Sequence, residues 1–300
     1  MRKFPRVGAT AASALVVVLA ASAFAKAPAA PAAAAAAARA TAPARATASA
    51  APLLTKVQPG GPIAATGGER AAVAAFGNRT TNVVSSNWAG YVAGRRGLKF
   101  RSVKATFFVP YLDCANSSSP ITYSGHWVGL DGAGSSTVEQ DGILAACEGT
   151  KAVYSAWYEM FPQPPVYAKM NVRAGNAIVA SVDYSPAHHR YTLSVSNLST
   201  GAEFLRTRKC PAGSTCRRLS AEAISEAPSS GTSILPLANF RAESFSDIRV
   251  AAQNGKTSGL RSRWWNTLSI TTEGVHGAVM DQPTSIARGM VFDDYWMAEG

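Results

Sequence analysis

From about Thr81 to the C-terminus the sequence predicts an all-β fold. Apolar residues alternate with neighbours of another kind in short runs. Val103, Ala105, Phe107 and Val109 alternate with Ser102, Lys104 and Phe108. Ile178, Ala180, Val182 and Tyr184 alternate with Val179, Ser181 and Asp183, and Tyr191, Leu193 and Val195 with Thr192, Ser194 and Ser196. Gly, Pro, Asn and Ser split the runs, and no stretch after residue 80 carries a helical stripe. A period of two sends successive side chains to opposite faces, as in half-buried strands. About 220 residues of such strands suit a large antiparallel sandwich or barrel.

The chain before that point reads differently. Arg2, Lys3 and Arg6 precede an apolar stretch richest at Ala14–Ala21, and Ala23-Phe24-Ala25 has the small-x-small pattern of a cleavage site. Residues 1–25 are expected to be a secretory signal peptide cut after Ala25. An uncleaved anchor is disfavoured because the apolar stretch is short for a membrane span. Residues 26–52 are almost wholly Ala, Pro, Thr and Arg, and prolines interrupt any helix there. Residues 53–80 are more mixed, with Gly60-Gly61-Pro62 and Gly67-Gly68 as breakers. Residues 26–80 thus form a basic leader, read as a propeptide or, alternatively, a linker through a cell wall. The compact domain is expected over residues 81–300.

Composition narrows the function. Of 300 residues, 47% are hydrophobic and 16% charged, enough for a packed core. The net charge is +11, but nine of the 29 Lys/Arg and only one acid, Glu69, lie in residues 1–80. The remaining chain is nearly balanced, so a nucleic-acid partner is not supported. Secretion, an extracellular location and a monomer are expected, with no membrane contact after signal cleavage. The four cysteines form no CxxC, which argues against zinc ribbons and dithiol redox motifs. The simplest disulfides are Cys114–Cys147 and Cys210–Cys216, although sequence alone allows three connectivities. His126, His188, His189 and His276 show no metal-ligand spacing, and no metal or other cofactor is expected. No GxSxG is present, and Ser135 has the wrong flanks for a nucleophile elbow.

Acids and aromatics are more informative. Trp157 and Glu159 share one face of a strand, as do Glu222, Ile224 and Glu226. Acids beside Trp and Ile are costly to bury unless paired or hydrogen-bonded. A cleft lined by carboxylates and aromatics is one reading, and a solvated sheet face is the other.

The strings SSNWAGY (85–91), WVGLDG (127–132), VEQDG (138–142), AWYEMFP (156–162), AEAISEAP (221–228) and PLANF (236–240) resemble those of the glutamic peptidases, or eqolisins, in particular bacterial secreted members. Their order and spacing match over roughly residues 83–245. The resemblance implies a sandwich of two large antiparallel sheets, of the concanavalin or legume-lectin type. It implies an endopeptidase acting on proteins or peptides at acidic pH through a Gln/Glu dyad. Carried onto this sequence, the dyad is Gln140 and Glu226, with Trp88, Trp127, Asp131 and Glu159 lining or supporting the site and Glu222 beside it. Glu226 would take a proton from the attacking water and pass it to the leaving amine. Gln140 would donate to the oxyanion. Ala223 and Ser225 replace an aromatic and an aliphatic residue of the family pattern, which keeps the dyad and alters its walls; both share the face opposite Glu226, so the lost aromatic mainly affects backing or packing.

Two rival functions share this architecture, because fold does not decide function. One is a weak or inactive sandwich that binds peptide or carbohydrate. The other is a glycan hydrolase using Glu159 and Glu226, for which Gln140 would have no role. The leader adds an expectation of its own. Its Lys26, Arg39, Arg45, Lys56, Arg70 and Arg79 would lie across Asp131, Glu159, Glu222 and Glu226 at neutral pH, and acid would release it for self-cleavage within residues 53–82.

Overall fold

In the computed structural model, residues 57–65, 74, 76–77 and 80–300 are described. The expected signal peptide and most of the leader lie outside these residues, as do Lys56, Arg70 and Arg79. The described residues belong to one unit, Ala48–Gly300.

The chain runs through β1 (Thr80–Ser85), β2 (Trp88–Gly94), β3 (Phe100–Phe108), β4 (Ile121–Asp131), β5 (Val138–Glu148) and β6 (Lys151–Phe161). It continues with β7 (Val166–Tyr167), β8 (Ala177–Ser185), β9 (Arg190–Asn197), β10 (Ala202–Arg208) and β11 (Ser220–Glu226). Short strands β12 (Ser229–Ser230) and β13 (Ser233–Ile234) pair with each other. They are followed by β14 (Ala242–Ala252), β15 (Thr257–Ser258), β16 (Asn266–Glu273), β17 (Val279–Pro283) and β18 (Phe292–Trp296).

Two layers result. The first has the order β10-β9-β8-β3-β14, and the second runs β14-β18-β17-β16-β2-β11-β4-β5-β6-β7. Strand β14 belongs to both. Its first residues, Ala242–Phe245, pair with β18, and Ser246–Ala252 pair with β3. The register shifts between Ser246 and Arg249, and Asp247 has φ 49°. A bulge there bends the strand from one sheet to the other, a common way for a sandwich to turn its corner. Nearly all pairings are antiparallel; β1 alongside β16 is parallel.

The expected alternation holds in the first layer. Val103, Ala105 and Phe107 of β3, Ile178, Ala180 and Val182 of β8, and Leu193 and Val195 of β9 are fully buried. They pack against Tyr91, Val128, Leu130, Ile143 and Tyr158 of the second layer, forming the core between the sheets. Ala223 faces this core too, as the expected face opposite Glu226 requires, so the position is one of packing.

The second layer is buried on both faces. Every residue of β2 and β11 is buried, as is nearly all of β4 and β5. Its far face carries a second cluster, with Trp88, Val92, Trp127, Leu144, Trp157 and Ile224. Val57, Ile63 and Ala65, from the segment before β1, complete that cluster.

Cys114 and Cys147 are bonded with Cα atoms 5.4 Å apart, and Cys210 and Cys216 with Cα atoms 5.8 Å apart. Among the simple alternatives, this is the sequential pairing.

Candidate active site

Register builds the site. Glu222 of β11 lies opposite Gly129 of β4, Gly129 opposite Gln140 of β5, and Gln140 opposite Glu159 of β6. One step along, Ile224, Trp127, Gly142 and Trp157 form a second row. A third contains Trp88 of β2, Glu226, Gly125 and Leu144. Rows two residues apart share a face, so Gln140, Glu159, Glu222 and Glu226 all project from the face opposite the intersheet core. Glycine at 129 leaves the floor low between Glu222 and Gln140. A Cβ there would lie 2.9 Å from the Trp127 ring, 3.0 Å from Glu222 Oε1 and 3.3 Å from Gln140 Cβ.

Glu226 is held by two donors on separate oxygens. Trp127 Nε1–H donates to Oε2 at 2.8 Å, and Asn87 Nδ2–H to Oε1 at 3.2 Å. Burial pushes its carboxyl well above the usual range, while Trp127, the Gly61 N–H and Asn87 pull the other way. The Trp127 indole meets Trp88 edge to face, centroids 5.0 Å apart at 78°, which fixes the ring that carries the donor.

Gln140 is oriented by Glu159. Its Nε2–H donates to Glu159 Oε2 at 2.7 Å, and Gln58 Nε2–H reaches Glu159 Oε1 at 3.0 Å. Burial raises the Glu159 carboxyl; the Gln58 hydrogen bond opposes this, and the neighbouring Glu226 adds to it. The same Gln140 Nε2–H donates to the Gly60 carbonyl oxygen. The peptide unit Gly60–Gly61 thus meets Gln140 at its C=O end and Glu226 at its N–H end.

The remaining residues divide by role. Glu222 is buried over Gly129, and burial raises its carboxyl, with the charges of Asp131 and Glu139 acting in the same direction. Asp131 accepts the backbone N–H groups of Arg218 (2.5 Å) and Leu219 (2.8 Å), and tethers the start of β11 to the end of β4. It supports the strand carrying Glu226 and contacts neither Gln140 nor Glu226 through these bonds. Asn87 was visible in the SSNWAGY string, but its contact with Glu226 spans 139 residues and had no local signal. Gln58 carries no local sequence signal that marks it for the site.

His126 lies on the opposite face of β4 from Trp127. It sits between Ser225 Oγ (3.2 Å) and Ser124 Oγ (3.1 Å), edge-on to Phe240, and burial pushes it down to about 3. A neutral imidazole sealed among serines is a packing element, facing away from the cleft. Among the described residues, no group of three or more His, Cys, Asp or Glu could hold a metal ion.

A sequence model of the Peptidase A4 family matches residues 86–284. Aspergillopepsin-2 of Aspergillus niger is 28% identical over 201 residues, covering 61% of this chain and 70% of that protein. Scytalido-glutamic peptidase, solved with a transition state analog inhibitor, superposes with a TM-score of 0.60 at 22% identity over 71% of this chain and 98% of that one. The eqolisin SCP-B, solved with the tripeptide Ala-Ile-His, gives a TM-score of 0.58 at 23% identity over the same shares. Aspergilloglutamic peptidase of Aspergillus niger gives 0.52 at 23% identity, over 59% of this chain and 99% of that chain.

Proposed function

Because the chain belongs to the Peptidase A4 family of glutamic endopeptidases, hydrolases of proteins and peptides, we propose that Gln140 and Glu226 are its working pair. The observation that carries this reading is the peptide unit Gly60–Gly61, which acts as a ruler laid in the cleft. Gln140 stands at the carbonyl oxygen of that unit, where negative charge develops during hydrolysis, and Glu226 stands at the nitrogen, where the leaving amine needs a proton.

In the reaction, ionised Glu226 takes a proton from water as the water oxygen bonds to the substrate carbonyl carbon. The Gln140 Nε2–H holds the resulting oxyanion. Glu159 keeps that amide turned donor-first, because it accepts the same Nε2–H. Glu226 then gives its proton to the departing nitrogen as the C–N bond breaks. Trp127 and Asn87 stabilise the ionised form by donating to it. While the cleft is covered, burial raises the Glu226 carboxyl, and the donors from Trp127 and Asn87 oppose that rise. Uncovering it lets water hydrate the carboxylate and lowers it back toward the ordinary carboxylate range, which supports action in acid. No step calls for a metal or a covalent intermediate.

We also place this work outside the cell. Residues 1–25 read as a secretory signal, and two disulfides suit an oxidising compartment.

The test is casein hydrolysis in acid by the wild type and by Glu226→Gln. The substitution keeps shape and removes the base, so hydrolysis should collapse while the thermal transition is retained. Near-wild-type hydrolysis by Glu226→Gln, or loss of wild-type hydrolysis on adding EDTA, overturns this mechanism.

A further inference from the structure

The segment Val57–Ala65 does more than cover the cleft. It is pinned on both sides of the dyad. On one side, Gln58 N–H donates to Ser229 O at 2.8 Å and Ser229 N–H returns a bond to Gln58 O at 3.1 Å. On the other, Ile63 N–H donates to Gly132 O (3.2 Å), Ala64 N–H to Asn87 Oδ1 (2.8 Å), and Ser86 N–H to Ala64 O (3.0 Å). Pro62 O accepts from Asn87 Nδ2 at 3.3 Å. Val57, Ile63 and Ala65 are buried in the cleft's apolar cluster. Between the two anchors, one peptide bond meets the dyad. Gly60 has φ +103°, and a Cβ on it would fall 2.2–2.4 Å from the Gln140 amide atoms. Only glycine brings the main chain this close.

The segment carries no charge between Val57 and Ala65. Opposite charge, the expected source of its hold, is therefore replaced here by main-chain and amide hydrogen bonds. Such bonds read the backbone of any extended peptide, as in strand addition to a sheet.

We infer that Gly60–Gly61 is a self-cleavage site, hydrolysed in cis by the chain's own Gln140 and Glu226. The inference rests on the dyad reading above. Water supplies the oxygen that bonds to the Gly60 carbonyl carbon, and Glu226 takes one of its protons. Gln140 holds the oxyanion on Gly60 O. The C–N bond breaks, and Glu226 passes the proton to the Gly61 nitrogen. The products are a carboxylate at Gly60 and a free amine at Gly61, with no oxidant or reductant involved.

The experiment incubates the full chain between about pH 3 and pH 7 in water enriched in oxygen-18, beside Glu226→Gln and Gly60→Val. Intact mass and N-terminal sequencing follow the bond, and casein hydrolysis is followed in parallel. Expected are a new N-terminus at Gly61, one heavy oxygen in the Gly60 carboxylate, and a half-time unchanged by dilution. Glu226→Gln should leave the bond intact. Gly60→Val, with its thermal transition recorded as a check on folding, should slow this cut at least tenfold. A wild type that hydrolyses casein through Glu226 but keeps Gly60–Gly61 whole, or is cut only elsewhere, overturns the site and leaves the dyad standing. A half-time that shortens in proportion to concentration assigns the cut to another copy and overturns the cis step. Failure of both casein hydrolysis and self-cleavage removes the dyad and this inference together.

Discussion

Trp127 and Asn87 each give one hydrogen bond to Glu226, and the shorter comes from the indole. A donor to a carboxylate favours the ionised form, so losing it raises the pKa. Trp127→Phe keeps an aromatic ring and removes that donor. The rising acid limb of kcat/KM should move upward by roughly 1–2 pH units, since a charge-assisted bond is worth about 1.5–3 kcal/mol. A pH–rate profile identical to wild type would show that the indole acts only by packing. Gln140→Ala removes the proposed oxyanion donor, and kcat should drop on the order of a hundredfold to a thousandfold, or about 2.7–4 kcal/mol. KM should change much less, because that bond strengthens mainly as the oxyanion forms. A rise in KM with kcat unchanged would reassign Gln140 to ground-state binding. At this scale, the sequence exposes Gln140, Glu159 and Glu226 because each lies within a short distinctive string. It hides their partners. Gln58 meets Glu159 across 101 residues, and nothing local in a Gln before Pro-Gly-Gly marks it for a cleft.

Strands β3, β8 and β9 are legible because each has one face in the core and the other toward solvent, so burial and sequence alternate together. Strands β2, β4, β5 and β11 are not, because both faces are covered and polar residues are buried beside apolar ones. Continuous burial erases the period-two pattern. The cross-strand rows that gather the site depend on pairing β11 between β2 and β4, a long-range order that no local pattern encodes. The floor glycine belongs to this scale. Gly129→Ala would push a methyl against Trp127 and Glu222. Overpacking of this kind costs about 1–3 kcal/mol, and the displaced Trp127 would lower activity as well; an unchanged thermal transition and full activity would show that the sheet yields there. The disulfides differ in reach. Cys114–Cys147 spans 33 residues and Cys210–Cys216 spans six. Loop-closure entropy makes the longer one worth more, by about 1–1.5 kcal/mol. Replacing the first pair with serines should therefore lower the denaturation midpoint further than replacing the second, and the reverse order would point to strain or local contacts as the dominant effect.

Across the whole molecule, the charged groups follow an unusual distribution. Asp131, Glu139, Asp141, Glu159, Glu222, Glu226, Glu243, Asp281 and Asp294 are all buried, and burial is the leading cause that raises each of their carboxyls. Among the described residues the salt bridge present, Arg241–Asp113 at 3.6 Å, involves none of them. Glu243 and Asp294 lie directly opposite each other across β14 and β18, and the Asp294 charge adds to the rise at Glu243, while Asp281 and Asp293 add to the rise at Asp294. Asp281 is pushed up to about 7. A carboxyl whose pKa is higher folded than unfolded binds its proton more tightly in the native state. Its contribution is complete below the unfolded value of about 4 and is lost as pH rises toward the folded value. His126 works in the opposite sense, because its folded value of about 3 makes acid destabilising. Nine carboxyls against one imidazole decide the direction. Surface repulsion among Lys and Arg also grows in acid, but it is screened by salt, whereas the buried carboxyls are not. The thermal midpoint should therefore be higher near pH 4 than near pH 7, and a midpoint that rises over that interval would refute the argument. Glu243→Gln isolates the cause. An amide keeps the shape and cannot ionise, so it removes one buried, raised carboxyl and should narrow the gap between the two midpoints, mainly by raising the one at pH 7. A gap as wide as in the wild type would mean that Glu243 does not set the neutral-pH weakness of the fold.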